Sequence, residues 1–75
     1  MADTRQLTAV IHREGDCYVA LCPELDVVSQ GITIDEARRN LIEALELFFE
    51  GASQQEIDRR LDSEFYVTSV SIAVG

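Results

Sequence analysis

The stretch from Tyr18 to Ala44 constrains the fold of this chain most, because it holds an ordered series of signals that end one element and begin the next. Pro23 cannot donate to a sheet ladder, so it ends the strand that precedes it. Thr33 and Glu36 have the spacing of a capping box, which marks the N-terminus of a helix. Gly31 ends a short strand just before that cap. The stretch therefore predicts a strand, an acidic turn, a second strand and an amphipathic helix.

Signals of the same kind predict the elements in the rest of the chain. Apolar residues that alternate along the sequence indicate strands, and a short polar turn with Gly15 joins the first two. Gly51 is typical of the residue that follows a helix C-terminus. Ser53 and Glu56 form a second capping box before a short helix. The predicted elements are strands at 6–13, 16–22, 27–30 and 65–74, a long helix at 34–50 and a short helix at 57–61.

This order predicts a single α+β domain over residues 1–75, arranged β-β-β-α-(short α)-β. Three strands should form an antiparallel meander, and the last strand should join the first in parallel after a right-handed crossover. The result is one four-stranded mixed sheet with the long helix packed on one face. The helix stripe predicted to face the sheet comprises Ile34, Ala37, Leu41, Ala44, Leu45 and Phe48, widened by Ile42 and Phe49.

The chain is strongly acidic, with 14 Asp and Glu against 6 Lys and Arg and a net charge of −8. This charge repels phosphate backbones and attracts a basic partner, although it also serves ordinary solubility. No apolar run approaches the length of about 20 residues that a membrane helix needs. Residues 1–5 lack the apolar core of a signal peptide. We therefore expect a cytoplasmic protein without a membrane partner.

Catalytic chemistry is not indicated. The first and last predicted strands contain no carboxylate, whereas metal-dependent nuclease chemistry needs several carboxylates that converge. His12 is the sole histidine and has no evident nucleophile beside it. Cys17 and Cys22 fall five apart in one strand, on opposite faces, so they fit neither a disulfide nor a zinc site. We expect no enzyme activity, no catalytic residue, no metal and no cofactor.

The ordered motif of the opening stretch resembles the HicB-like antitoxins. It reads tyrosine-x-alanine, proline-glutamate-leucine, glycine and threonine before the helix, then glutamate-alanine and asparagine-leucine-x-glutamate-alanine. The resemblance implies a truncated ribonuclease-H-like fold and an antitoxin that sequesters a small basic messenger-RNA-cleaving toxin. The residues that carry it are Tyr18, Ala20, Pro23, Glu24, Leu25, Gly31, Thr33, Glu36, Ala37, Asn40, Leu41, Glu43 and Ala44.

Many HicB-like proteins continue into a C-terminal DNA-binding segment, whereas this sequence reaches Gly75 directly after the last predicted strand. The resemblance is therefore to a short form that contains the N-terminal domain only, and we expect no direct DNA or RNA binding.

Six residues are candidates for contact with a basic toxin. Tyrosine is enriched at interface hot spots, and exposed carboxylates complement a basic surface. For each carboxylate the alternative is ordinary surface charge, and for the tyrosine it is packing across the sheet. These partner-binding candidates are Tyr18, Glu24, Asp26, Glu43, Glu46 and Glu50.

Two other functions remain open. Apolar residues on both sheet faces favour a stand-alone module that self-associates as a dimer or tetramer without any toxin. A residual metal-dependent nuclease would use the helix glutamates with Asp16 or Asp26.

Overall fold

The structure is a computed structural model that describes residues 5–75. Four of the five residues on which the signal-peptide argument rests, 1–4, lie outside the described residues. The strands form an antiparallel sheet in the order β1-β2-β3, so the predicted meander is confirmed. The elements in chain order are β1 (Val10–Glu14), β2 (Cys17–Cys22), β3 (Val27–Gly31), α1 (Ile34–Gly51) and α2 (Gln54–Leu61).

Strand β1 begins four residues later than the alternating pattern predicts. Glu14 pairs with Cys17 across a two-residue turn, where Gly15 adopts a positive φ of 62°. Extending the ladder backwards would place Thr8 opposite Pro23, which has no N–H to donate. The backbone N–H of Thr8 instead donates to a carboxylate oxygen of Glu24, 3.0 Å away. Residues 6–9 are therefore held by a side chain rather than by a strand.

The core lies between one face of the sheet and α1, as predicted. Helix α1 packs most closely on β3, less on β2 and least on β1. Ile34, predicted to face the sheet, is instead largely exposed as the first residue of the helix. Among the described residues, no helix is both long and apolar enough to cross a membrane. The fully buried apolar residues are Ala20, Cys22, Leu25, Ala37 and Leu41.

The start of α1 follows the predicted capping box. The Thr33 hydroxyl accepts a hydrogen bond from the Glu36 backbone N–H at 3.0 Å, and the Glu36 carboxylate accepts from the N–H of Ile32 at 2.8 Å. Gly31 lies so close to this turn that an added Cβ would stand 2.5 Å from the backbone nitrogen of Ala37. The glycine therefore allows the strand to pass directly beneath the helix N-terminus.

The ends of the two helices differ from the prediction. Gly51 belongs to α1 itself, and the cap residue is Ala52, whose extended backbone donates to the carbonyl of Phe48 at 2.9 Å. The prediction that Gly51 follows the end of the helix is therefore wrong, because the helix continues through Gly51 and the chain then passes directly into the cap of α2. The hydroxyl of Ser53 accepts from the backbone of Glu56 at 3.1 Å, so α2 begins at Gln54, earlier than predicted.

The predicted fourth strand is wrong, and so is the four-stranded mixed sheet. Residues 65–74 have no ladder partner in the described chain, and their apolar side chains are largely exposed. A parallel strand is stable mainly where both sheet faces are covered, whereas α1 covers only one face here. The chain's own sheet therefore stops at three strands. We call residues 65–74 the C-terminal segment.

Candidate protein-binding surface

The six predicted partner-binding residues lie in three separate places. Tyr18 is on β2, and Glu24 and Asp26 are in the turn between β2 and β3. The other three carboxylates are on the long helix, at positions 43, 46 and 50 of α1. The structure therefore divides the prediction into a strand residue, a turn and a helix surface, each with its own surroundings.

The helix surface is an acidic face of α1 that contains Glu43, Glu46, Leu47 and Glu50. At 100° per residue the three carboxylates fall within about 60° of one another on the helix, and Leu47 lies beside them. All four side chains are exposed, and that of Leu47 is 62% exposed. Within residues 5–75, the three carboxylates make no hydrogen bond or ion pair to another residue. The face thus combines negative charge that no ion pair opposes with an apolar contact point, and only Glu46 also lines a groove with arginines, Arg5 and Arg38.

Two of these carboxylates are poorly placed for the stability of their own helix. The C-terminus of a helix carries partial negative charge, so acidic side chains in the last turns are unfavourable. Glu46 and Glu50 lie towards that end, and the last turn of α1 contains no basic residue. A sequence feature that opposes local stability is commonly found at a functional surface.

The nearest arginine on this side of α1 does not neutralise the acidic face. The sequence spacing predicts a contact between Arg39 and Glu43, four residues apart. The guanidinium of Arg39 instead pairs with Asp35, at 3.2 Å, one turn towards the helix N-terminus. Glu43 therefore lacks the ion pair with Arg39 that the spacing predicts.

Glu24, by contrast, already has partners inside the chain. One carboxylate oxygen accepts from both the backbone N–H and the hydroxyl of Thr8, at 3.0 and 2.7 Å, and the other lies 3.5 Å from the Cys22 thiol. Partial burial acts to raise the pKa of Glu24, but the hydrogen bonds from Thr8 and from the backbone outweigh it, so the pKa is lowered. Glu24 therefore joins the segment before β1 to the β2–β3 turn.

Asp26 and Tyr18 also have local structural roles. Asp26 adopts a positive φ of 55°, a conformation that aspartate tolerates better than most residues with a side chain. It lines a shallow depression with Arg59 and Arg60 of α2, so basic groups lie beside the acidic turn. Tyr18 is half-buried and packs against the core. Neither residue presents an unopposed charge comparable with the acidic face.

Sequence reasoning missed Arg60, which connects three elements. Its guanidinium donates to the carbonyl of Leu25, pairs with Glu56 at 3.1 Å and lies over the Phe48 ring at 5.3 Å from the centroid. The hydrogen bond to Arg60 is the largest influence that lowers the pKa of Glu56. Arg60 thus holds α2 against α1 and the turn, and a basic residue in the last turn of α2 was the available signal.

The titratable groups of the sheet form no catalytic cluster in the described part of the chain. No group of three or more His, Cys, Asp or Glu residues there has the arrangement of a metal site. Cys22 is buried, and that burial raises the pKa of its thiol. Cys17 is half-buried and also free.

No protein-family model, curated protein or solved structure matches this chain. The resemblance to HicB-like antitoxins therefore remains a prediction from the sequence motif. In the structure, most residues of that motif serve the fold: Glu24 holds Thr8, Thr33 and Glu36 cap α1, and the Asn40 amide donates to the carbonyl of Gln30 at 2.8 Å. Function must therefore be sought on surfaces that these contacts leave free.

Proposed function

We propose that this chain is an antitoxin-like binding protein that sequesters a small basic ribonuclease through the acidic face of α1. It acts by protein–protein contact in the cytoplasm, without chemistry of its own and without direct contact with DNA or RNA. The observation that carries the proposal is the group of three exposed, unopposed carboxylates around Leu47 on one helix surface.

The chemistry of such a partner follows from the charge. A ribonuclease that binds messenger RNA presents basic side chains to the phosphate backbone, so an acidic helix can occupy the same surface. The net charge of −8 accelerates the encounter, and desolvation around Leu47 adds apolar contact once the two proteins meet. Binding at that surface would exclude RNA and so block cleavage.

The test first looks for a gene next to that of this chain that encodes a small basic protein, and uses that protein as the binding partner. In a co-purification and titration experiment, the triple variant Glu43→Gln, Glu46→Gln, Glu50→Gln should weaken binding at least tenfold, and the loss should shrink at high salt. Co-expression should relieve toxicity for the wild-type chain and fail for the variant.

A matched control removes the same charge elsewhere. Glu14, Asp16 and Glu64 are exposed and lie outside α1. Their conversion to the corresponding amides should leave the affinity within about threefold of wild type, which is a difference of about 0.6 kcal/mol. An equal loss of affinity in both triple variants, or no complex with the wild-type chain, would contradict the proposal.

A stability measurement separates the role of Glu50 in binding from its role in the fold. Replacement by lysine places a favourable charge at the helix C-terminus and should raise the free energy of unfolding by about 0.3–1 kcal/mol at low salt. The same substitution should weaken binding of the basic partner. A variant that is both more stable and a weaker binder would show that the charge is retained for contact rather than for the fold.

A further inference from the structure

The apolar stripe of α1 is only partly covered by its own sheet. Helix α1 packs mainly on β3 and β2 and makes little contact with β1. A groove of about 370 Å³ opens there, between residues 5–9 and α1. Leu41, Leu45 and Phe49 form much of its apolar lining, and Ile42 at its side is 41% exposed.

The opposite edge of the sheet, on β3, is contacted by α1. The amide of Asn40 donates to the backbone carbonyl of Gln30 on β3, and α1 packs most closely on that strand. Among residues 5–75, no strand pairs with the outer side of β1, and four of its five residues are exposed. The edge of β1 is therefore available for main-chain pairing.

The C-terminal segment has the sequence pattern of a strand, but within residues 5–75 it pairs with no other strand. Tyr66, Val70, Ile72 and Val74 alternate onto one side, and Val70 is 78% exposed. Ten extended residues span about 33 Å, about twice the length of the five-residue β1. The segment leaves the body beside Leu7 and Leu61, near one end of the groove, but it does not enter it.

We propose that the groove between residues 5–9 and α1, where the chain leads into β1, is the docking site for the C-terminal segment of a second copy of this chain, exchanged reciprocally in a two-fold dimer. The apolar side of the segment covers Ile42, Leu45 and Phe49, and its backbone pairs with the open edge of β1. Exchange of an identical element is a common route to symmetric dimers. The chain's own sheet keeps its three strands, and the proposed basic partner plays no part.

The first test measures the oligomeric state of the purified full-length chain alone at micromolar concentration by light scattering. The wild-type chain should be a dimer, and Val70→Asp should be a monomer with an unchanged far-ultraviolet spectrum, because the side chain contacts little within its own chain. Ser71→Asp adds the same charge to the other side of the segment and should remain dimeric.

A second pair of variants locates the docking site. Ile42→Asp at the groove should give a monomer, whereas Val28→Asp on the outer face of β3 should leave the dimer intact. Val28 is 57% exposed and makes a matched control for Ile42. A monomeric wild-type chain, a dimer that persists in Val70→Asp, or a dimer lost in Val28→Asp but not in Ile42→Asp would each overturn the proposal. Dissociation by Ser71→Asp as readily as by Val70→Asp would overturn it as well.

Discussion

The stretch from Tyr18 to Ala44 and the C-terminal segment are both rich in apolar residues, but they differ in what surrounds them. The first contributes every fully buried residue of the described core. The second exposes nearly all of its apolar side chains. The difference lies in the partners available: the first stretch contains two strands, a turn and a helix that cover one another, whereas the segment needs a sheet edge supplied from outside itself.

Contacts of short sequence separation explain why the first stretch is self-sufficient. The cap of α1 joins residues three or four apart, and the Asn40 amide reaches Gln30 only ten residues away. Such bonds can form wherever the local chain has the right conformation. A strand has no equivalent, because all of its ladder bonds go to another strand.

The largest expected effect contrasts a core residue with a segment residue. Leu25→Ala should lower the free energy of unfolding by about 3 kcal/mol, because Leu25 is 0% exposed and its removal leaves a cavity. Ile72→Ala, measured at a concentration where the chain is monomeric, should change it by no more than about 0.5 kcal/mol. Urea denaturation followed by circular dichroism measures both. Similar losses would mean that the segment packs within its own chain, and the contrast between the two regions would fail.

A second pair of substitutions examines the close approach of β3 to α1. An alanine at Gly31 would put its Cβ 2.5 Å from the Ala37 nitrogen and 2.9 Å from the Glu36 Cβ. Because the nearest atoms belong to backbone, we expect a loss of about 1–3 kcal/mol. Gly51→Ala has open space around it within a helix and should instead stabilise by about 0.5–1 kcal/mol. Thermal unfolding of the two variants should therefore shift in opposite directions, and a neutral Gly31→Ala would contradict the packing described here.

Sequence patterns predicted the elements with local causes and failed where the cause was remote. Short-range spacing correctly predicts the cap at Thr33, the meander and the helix stripe, apart from Ile34 and Ile42, which are exposed. The strand at 65–74 was wrong, because alternation shows that a segment suits a sheet but not that a covered edge is available. Burial of Leu25 and the contacts of Arg60 were missed, since they depend on how α2 folds back against a turn 35 residues earlier in the chain.

The sequence predicts which residue types the candidate site contains, but not which of them have partners elsewhere in the chain. Acidic residues on α1 follow directly from helical periodicity. The sequence could not show that Glu24 is engaged by Thr8, 16 residues away, or that Arg39 selects Asp35 over Glu43. The sequence also did not identify Leu47 as a candidate contact residue. Its position beside the three carboxylates becomes relevant only when those carboxylates are known to lack ion-pair partners.

The smallest expected effect concerns the hydrogen bonds between Glu24 and Thr8. They join the residues before β1 to the stretch from Tyr18 to Ala44. Because its pKa is lowered in the folded chain, the carboxylate contributes stability above its unfolded pKa of about 4.3, and this is lost as pH falls through the lower folded value. Glu24→Gln should cost about 1 kcal/mol at pH 7 and make the loss of stability on acidification shallower. Thr8→Val removes the hydroxyl that donates at 2.7 Å and should weaken the same pH dependence. In a double-mutant cycle by urea denaturation, the two changes should together cost less than their sum, whereas strict additivity would show that Glu24 and Thr8 do not act as a pair.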